Sequence, residues 1–303
     1  MNLGFVIGWF KHYWLAIWFG IIFALRVSAL TSGTAVEIGF DGRLYLAATR
    51  AWLAGGDPWL LLEGQRFAAP PPTLMPLAPI ALLPESLGVA IMVLLALGGV
   101  IATIRVLRLP WWWLLFPPFL EGTWNGNLQT LLVPLILVGA GPIAAFLKLY
   151  ALVPIVLTLR WRAFVVTGVA LIATAPFLPW AAYIGRFGEL SQVLADQSDG
   201  GLSATALPWL IPIGILALIV SGRERAAWLA VPVLWPSTQW YYSTLAVPAL
   251  TPVAAALLAV PVPGATVAAA VAVAVQVGSR SWPGLRRSWG SHAEPIPAAA
   301  RAS

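Results

Sequence analysis

Along this chain, apolar runs are separated by short polar or proline-bearing connections, and few runs carry a charge. Residues 13–30 and 87–104 are clean runs close to the roughly 20 residues that carry an α-helix across a bilayer. Residues 163–183, 204–220, 226–242 and 245–260 read the same way, and 265–277 forms a possible last span. Residues 111–121 make a shorter return that ends in the polar turn 121–129. Residues 130–159 are interrupted by Gly139, Gly141 and Pro142, which predicts either one broken helix or three short ones.

A different pattern fills the stretch between the first two spans. From Asp41 to Gly56 the apolar positions Leu44, Ala47, Ala48, Ala51 and the Leu53/Ala54 pair make one helical stripe, with Arg43 and Arg50 elsewhere. This predicts a short helix lying in the membrane interface, capped by Asp41 and stopped by Gly55-Gly56. Residues 67–84 are apolar but carry Pro70, Pro71, Pro72, Pro76 and Pro79, so they read as a second juxtamembrane or re-entrant piece. Loops as long as 31–69 are usually functional.

Composition turns these runs into a membrane reading. Of 303 residues, 60% are hydrophobic and 9% charged, and mean hydropathy is +0.87; soluble chains carry about 25% charge. A soluble enzyme is excluded on this basis. The expected fold is all-α: a polytopic transmembrane bundle of about 8 to 11 spans or half-spans. Residues 1–278 form one integral-membrane domain, and 279–303 a disordered basic tail.

Charge orients the bundle. Lys11, Arg105, Arg108, Arg160, Arg162, Arg223 and Arg225 sit in short connections with only Glu224 among them, which makes those connections cytoplasmic. The longer segments 31–69 and 184–203 carry Glu37, Asp41, Asp57, Glu63, Glu189, Asp196 and Asp199 against Arg43, Arg50, Arg66 and Arg186, and are expected outside. The first run is too long for a signal peptide and lacks its cleavage pattern, so it is kept as a span with the amino terminus inside. A multi-pass protein of the plasma membrane follows. The last span runs against this rule, because it would put Arg280, Arg286, Arg287 and Arg301 outside. The absence of Cys and the placement of His12 and His292 near opposite ends leave no His/Cys metal cluster. Neither metal nor cofactor is expected, and no nucleic-acid partner.

Asp41 lies where the outer segment meets the membrane. A desolvated carboxylate there could act as a general base on a hydroxyl, or simply cap the helix. Lys148 stands in an apolar context, where a cation either serves function, snorkels or pairs with Glu121. Arg26, late in the first span, has the same choice between function and snorkelling to the outer headgroups, and snorkelling is the one expected. Asn125, Asn127 and Gln129 could hydrogen-bond a sugar or headgroup, or cap a helix. The segment 236–242 offers hydroxyls, an amide and the aromatic faces of Trp240, Tyr241 and Tyr242, although Trp and Tyr collect at membrane interfaces in any case.

Several of these segments, taken in order, resemble the GT-C glycosyltransferases, in particular glycosyltransferase family 87, which includes polyprenol-phosphate-mannose-dependent mannosyltransferases. Asp41…Tyr45…Ala47-Ala48…Gly55-Gly56-Asp57-Pro58-Trp59 resembles the first outer loop of that family, and 67–84 its proline-bearing return. Gly126-Asn127-Leu128-Gln129 is similar to its Gly-Gln-x-Asn turn, and Lys148…Pro154 followed by Arg160-Trp161-Arg162 to its Lys-x-x-Pro helix with a basic inner end. Residues 236–248 resemble its late Ser-Pro-x-x-Trp segment. Asn127 stands where the family has Gln, Ala151 where it has Pro, and Tyr241 or Tyr242 where it often has His; the chain is also shorter than is usual for the fold.

The resemblance covers roughly residues 1–260 and implies an inverting transfer of a mannosyl or related hexosyl or pentosyl group. The sugar would pass from a polyprenyl-phosphate-linked donor to a lipid or glycan acceptor on the outer face. Asp41 would be the base. Arg43, Asn127, Gln129 and Lys148 would stabilise the departing phosphate, with Tyr45, Trp240, Tyr241 and Tyr242 lining the substrate site. A catalytically silent relative and a lipid or sugar transporter or flippase remain as alternatives. Transporters usually carry paired broken helices in two halves, and here 67–84 and 127–158 are not equivalent.

Overall fold

The computed structural model describes residues 3–32, 37–60, 67–196, 202–236 and 238–281. Among the described residues the chain is helical throughout, with no strand. Two helices are long and apolar enough to cross a membrane: Tyr13–Thr31, the later part of α1 (Leu3–Thr31), and α4 (Glu85–Val106). Elsewhere the helices are shorter than the apolar runs predict. Residues 163–183 divide into α9 (Trp161–Thr174) and α10 (Trp180–Gly185), separated around Pro176 and Pro179. The expected carboxy-terminal tail is helical at its start, since the last helix runs through Ala265–Ser281. The tail from residue 282 on, and the loop residues Glu63, Arg66 and Asp199, lie outside the described residues.

Between the two long helices stand α2 (Phe40–Leu53) and α3 (Leu74–Ala81), the two short elements expected there. The stop of α2 is as read from sequence: Gly55 has φ 78°, its N–H reaches Trp52 O at 2.9 Å, and the Gly56 N–H reaches Ala51 O at 2.8 Å. Its start is different. Gly39, with φ 76°, occupies the cap position, and Asp41 falls inside the first turn, so its carboxylate is not a cap. The buried face is also rotated from the expected stripe, to Gly42, Tyr45, Leu46, Ala48 and Thr49. Apolar periodicity misses this because Tyr45 and Thr49 turn polar groups inward. Arg50 fastens α2 to α3 by donating to Ala81 O at 2.8 Å and Leu83 O at 3.2 Å, the carbonyls that end α3.

Downstream of α4 the chain makes the 3-10 turn Trp111–Leu115 and α5 (Pro117–Trp124). Phe19 of α1 packs here against Trp113, Phe116 and Trp112, with ring centroids 5.0 to 5.8 Å apart. The run 130–159 resolves into short helices, α6 (Leu132–Leu137), α7 (Gly141–Leu147) and α8 (Leu152–Leu157), with 3-10 turns at Leu128–Leu131 and Leu149–Ala151. At about 1.5 Å per residue each α-helix is only ~10 Å long, a third of a bilayer core.

The last part runs from α11 (Phe187–Asp196) through α12 (Ile211–Ser221), α13 (Arg223–Leu234), α14 (Pro252–Leu258) and α15 (Ala265–Ser281). The expected helices 226–242 and 245–260 are corrected: Trp240–Ala249 is a 3-10 helix that crosses the intended boundary. Trp240–Ala249 is buried at nearly every position, so it carries no amphipathic period to tell three residues per turn from 3.6.

Candidate functional site

The amino end of α2 is held by backbone. Gly39 N–H donates to Trp124 O at 2.7 Å and Gly42 N–H to Asn125 O at 3.0 Å, which joins it to the turn after α5. Only a glycine backbone comes this close: a Cβ on Gly42 would stand 3.0 Å from the Cβ of Met92, and Gly126 of the same turn has φ 63°.

Asn127 then meets Asp41. Its Oδ1 accepts the Gln129 N–H at 2.8 Å, which leaves Nδ2 to donate to Asp41 Oδ2 at 2.7 Å. The turn amide therefore caps the 3-10 turn with one end and holds the carboxylate with the other. Lys148 arrives from the break after α7, where it is extended (φ −150°, ψ 116°). That break is pinned by Thr73 Oγ1, which donates to Phe146 O at 2.8 Å. The ammonium lies 5.1 Å from the centroid of the Tyr45 ring, and its charge attracts the Asp41 carboxylate.

Tyrosines close the cluster. Tyr241 stacks on Tyr242 at 5.2 Å between centroids, Tyr242 packs on Tyr150 at 5.2 Å, and Tyr150 packs on Trp235 at 5.4 Å. The Tyr150 hydroxyl donates to Gln129 Oε1. Burial raises the Asp41 pKa above the ordinary carboxylate value, the Asn127 hydrogen bond, the Lys148 charge and the Tyr241 hydroxyl oppose this, and Glu121 adds to the rise. Two buried polar atoms of these residues, Tyr45 Oη and Gln129 Nε2, have no hydrogen-bond partner among the described residues. Buried donors are normally satisfied, so this pair is suited to a ligand.

Of the residues expected here, Asp41, Tyr45, Asn127, Gln129, Lys148, Tyr241 and Tyr242 come together, although the sequence spreads them over two hundred positions. Arg43 does not join them: its guanidinium pairs with Glu37 and lies 3.7 Å from Glu85 on the exposed side of α2. Trp240 is also turned away, its Nε1 donating to Leu258 O at 2.8 Å and its ring carrying Arg26 at 5.6 Å. Arg26 does not snorkel and Lys148 does not pair with Glu121. Instead Arg26 Nε and Nη2 grip the two Glu121 oxygens at 2.8 and 2.9 Å.

Two contributors escaped the sequence reading. Tyr150 is one, although it lies only two residues past Lys148; the Arg26–Glu121 pair is the other, and its 95-residue separation left no local signal. Comparisons with protein-family models, curated proteins and solved structures found no match to the chain.

Proposed function

We propose that this chain is a polytopic membrane glycosyltransferase of GT-C type, resembling glycosyltransferase family 87, which moves a sugar from a polyprenyl-phosphate donor to a lipid or glycan hydroxyl. The observation that carries the reading is the carboxylate of Asp41, itself half-buried and held among buried side chains with the Lys148 cation, an orienting amide and two donors that have no partner among the described residues. A base needs a raised but accessible pKa, and a departing phosphate needs donors that do not have to be stripped of other bonds first.

In the proposed transfer, Asp41 takes the acceptor proton while the acceptor oxygen bonds to the anomeric carbon and inverts it. The bond from that carbon to the phosphate oxygen breaks, and polyprenyl phosphate leaves with the electron pair. Lys148, Gln129 Nε2 and the Tyr45 hydroxyl receive the growing negative charge, while Asn127 keeps Asp41 aimed. Tyr241 and Tyr242, buried and stacked on one another, wall the carboxylate on that side.

Lipid contact is supported by apolar faces that the other described residues leave uncovered. Leu216 is 62% and Ile219 70% exposed on α12, as are Val169 at 63% and Ile172 at 75% on α9. With the long apolar helices α1 and α4 they favour a multi-pass protein, with 37–60 and 184–196 on the outer side. The deciding experiment is transfer from a radiolabelled polyprenyl-phosphate sugar by the purified chain and by Asp41→Asn: activity confined to the former sustains the reading, and activity in neither favours a silent relative.

A further inference from the structure

A groove of about 600 Å³ opens where α8 gives way to α9, and it shares no residue with the Asp41 cluster. Its walls are apolar, from Pro142, Leu159, Trp161 and Val166, while Arg160 and Arg162 supply the charge, and no carboxylate lines it. Arg160 is anchored through a hydrogen bond to Ile136 O, so one guanidinium is fixed at the groove with donors to spare. Arg162 is exposed, and no hydrogen bond or ion pair joins its side chain to the other described residues.

Leu159 ends α8 with φ 55°, its N–H on Val156 O at 2.9 Å and the Arg160 N–H on Ile155 O at 3.0 Å. This is the position glycine ordinarily takes, and a bulky side chain is strained there. Burial does not explain the leucine, which is 45% exposed; what its side chain does is wall the groove. The surface continues outward as Val138, Ile143, Trp161 and Val165, all more than half exposed.

We propose that this groove seats an anionic phospholipid, with the headgroup phosphate on Arg160 and Arg162 and an acyl chain along Pro142, Leu159 and Val166. Two guanidiniums, an exposed tryptophan and an uncovered apolar channel match the three parts of such a molecule: charge, interface and chain. A free anion would use the arginines and leave the channel empty, and a zwitterionic lipid would gain little from two cations. The site rests on the lipid-facing reading of α9 and is independent of sugar transfer.

The test measures lipid binding by the full chain in mild detergent, by native mass spectrometry and thermal unfolding. Phosphatidylglycerol, phosphatidylcholine and inorganic phosphate are compared. Phosphatidylglycerol is expected to bind at least tenfold more tightly than phosphatidylcholine, to protect against unfolding, and to weaken as salt rises. Arg162→Gln, which breaks no contact, should weaken it about fivefold, and Arg160→Gln with Arg162→Gln further. Trp161→Ala should weaken both lipids. Arg223→Gln, in another basic connection, should change neither. Equal binding of the two lipids, full protection by inorganic phosphate alone, or unchanged phosphatidylglycerol binding in the double variant would each overturn the assignment. Because sugar transfer is not the readout, its absence leaves the result interpretable.

Discussion

Arg186 Nε lies 2.8 Å from Asp57 Oδ2, joining positions 129 residues apart in the chain. Asp57 also accepts the Trp59 N–H at 2.9 Å through its other oxygen, and the Trp59 ring packs on Tyr183 at 5.3 Å. The segment before α3 and the segment around α10 and α11 are therefore one surface. The proposed topology puts both on the outer side, on the ground of their acidic balance against the basic short connections. The chain contains no cysteine, so single substitutions report cleanly. Ile38→Cys and Gly188→Cys should both react with an impermeant thiol reagent from outside, and Glu224→Cys only after permeabilisation. If Ile38→Cys and Gly188→Cys label from opposite faces, the contact between the two segments is wrong along with the topology.

The pair Arg26–Glu121 is expected to matter for stability and for Asp41 alike. Glu121 is nearly buried, with its side chain 9% exposed against 31% for Arg26. Arg26→Gln strands a carboxylate in a low-dielectric setting and should cost about 3 kcal/mol, most of it recovered when Glu121→Gln is added. Because the Glu121 charge raises the Asp41 pKa, the single variant should also push the acid limb of transfer to higher pH and the double variant should bring it back. Equal unfolding midpoints for wild type and Arg26→Gln would show that the pair carries no net stability.

The breaks at Gly55, Gly139 and Pro142 were legible because they are local, whereas the break around Pro176 and Pro179 inside 163–183 was passed over in an otherwise apolar run. The contents of the site were legible only as single residues whose chemistry sits oddly in an apolar chain, such as Lys148 and Asn127. Their meeting was expected only through the family resemblance, since nothing in the residues themselves says that the 71–73 turn pins the chain beside Lys148 or that α2 docks by backbone on the turn after α5. Arg43 shows the converse error: the family resemblance put it among the groups that meet the phosphate, but helical geometry sends residues two apart to different faces.

Gly99 offers a test of positioning at a distance. A Cβ there would stand 2.7 Å from the carbonyl carbon and oxygen of Thr130, both backbone atoms that cannot swing aside. Gly99→Ala should therefore cost about 1 to 3 kcal/mol and shift the 128–131 turn that carries Gln129. Transfer should fall mainly through donor affinity, read as a higher KM. A variant with unchanged stability would mean that α4 and the turn separate freely.

Lys148→Met separates structure from donor binding. Lys148 has Tyr45 and Asp41 as neighbours and a half-buried side chain, so an apolar replacement of similar length should leave the fold intact. If the ammonium meets the donor phosphate, the loss should appear with the phosphate-linked donor and be shared by inhibition with polyprenyl phosphate. Unaltered inhibition in Lys148→Met would remove the cation from the proposed mechanism.

Asp41→Asn is the sharpest case, because stability and activity should move in opposite directions. The folded-state pKa of Asp41 is raised above its unfolded value, chiefly by burial. Between the two values the native state holds a proton that the unfolded chain has lost, so the contribution of Asp41 to stability falls as pH rises through the folded pKa. Above that pH the native protein carries a desolvated charge, and Asn, which cannot ionise and can still accept from Asn127 Nδ2 through its Oδ1, should be at least as stable as Asp. Transfer behaves the other way. In the proposed mechanism it needs the carboxylate, so the wild-type rate should rise with pH through an ionisation above the usual value of about 4, and Asp41→Asn should lose about a hundred- to ten-thousand-fold with no such limb remaining. Glu37 is poorly placed to substitute, being exposed and paired with Arg43. Thermal unfolding and rate–pH profiles measured on the two proteins decide it: transfer by Asp41→Asn at the wild-type rate, with the same acid limb, would take the base away from Asp41.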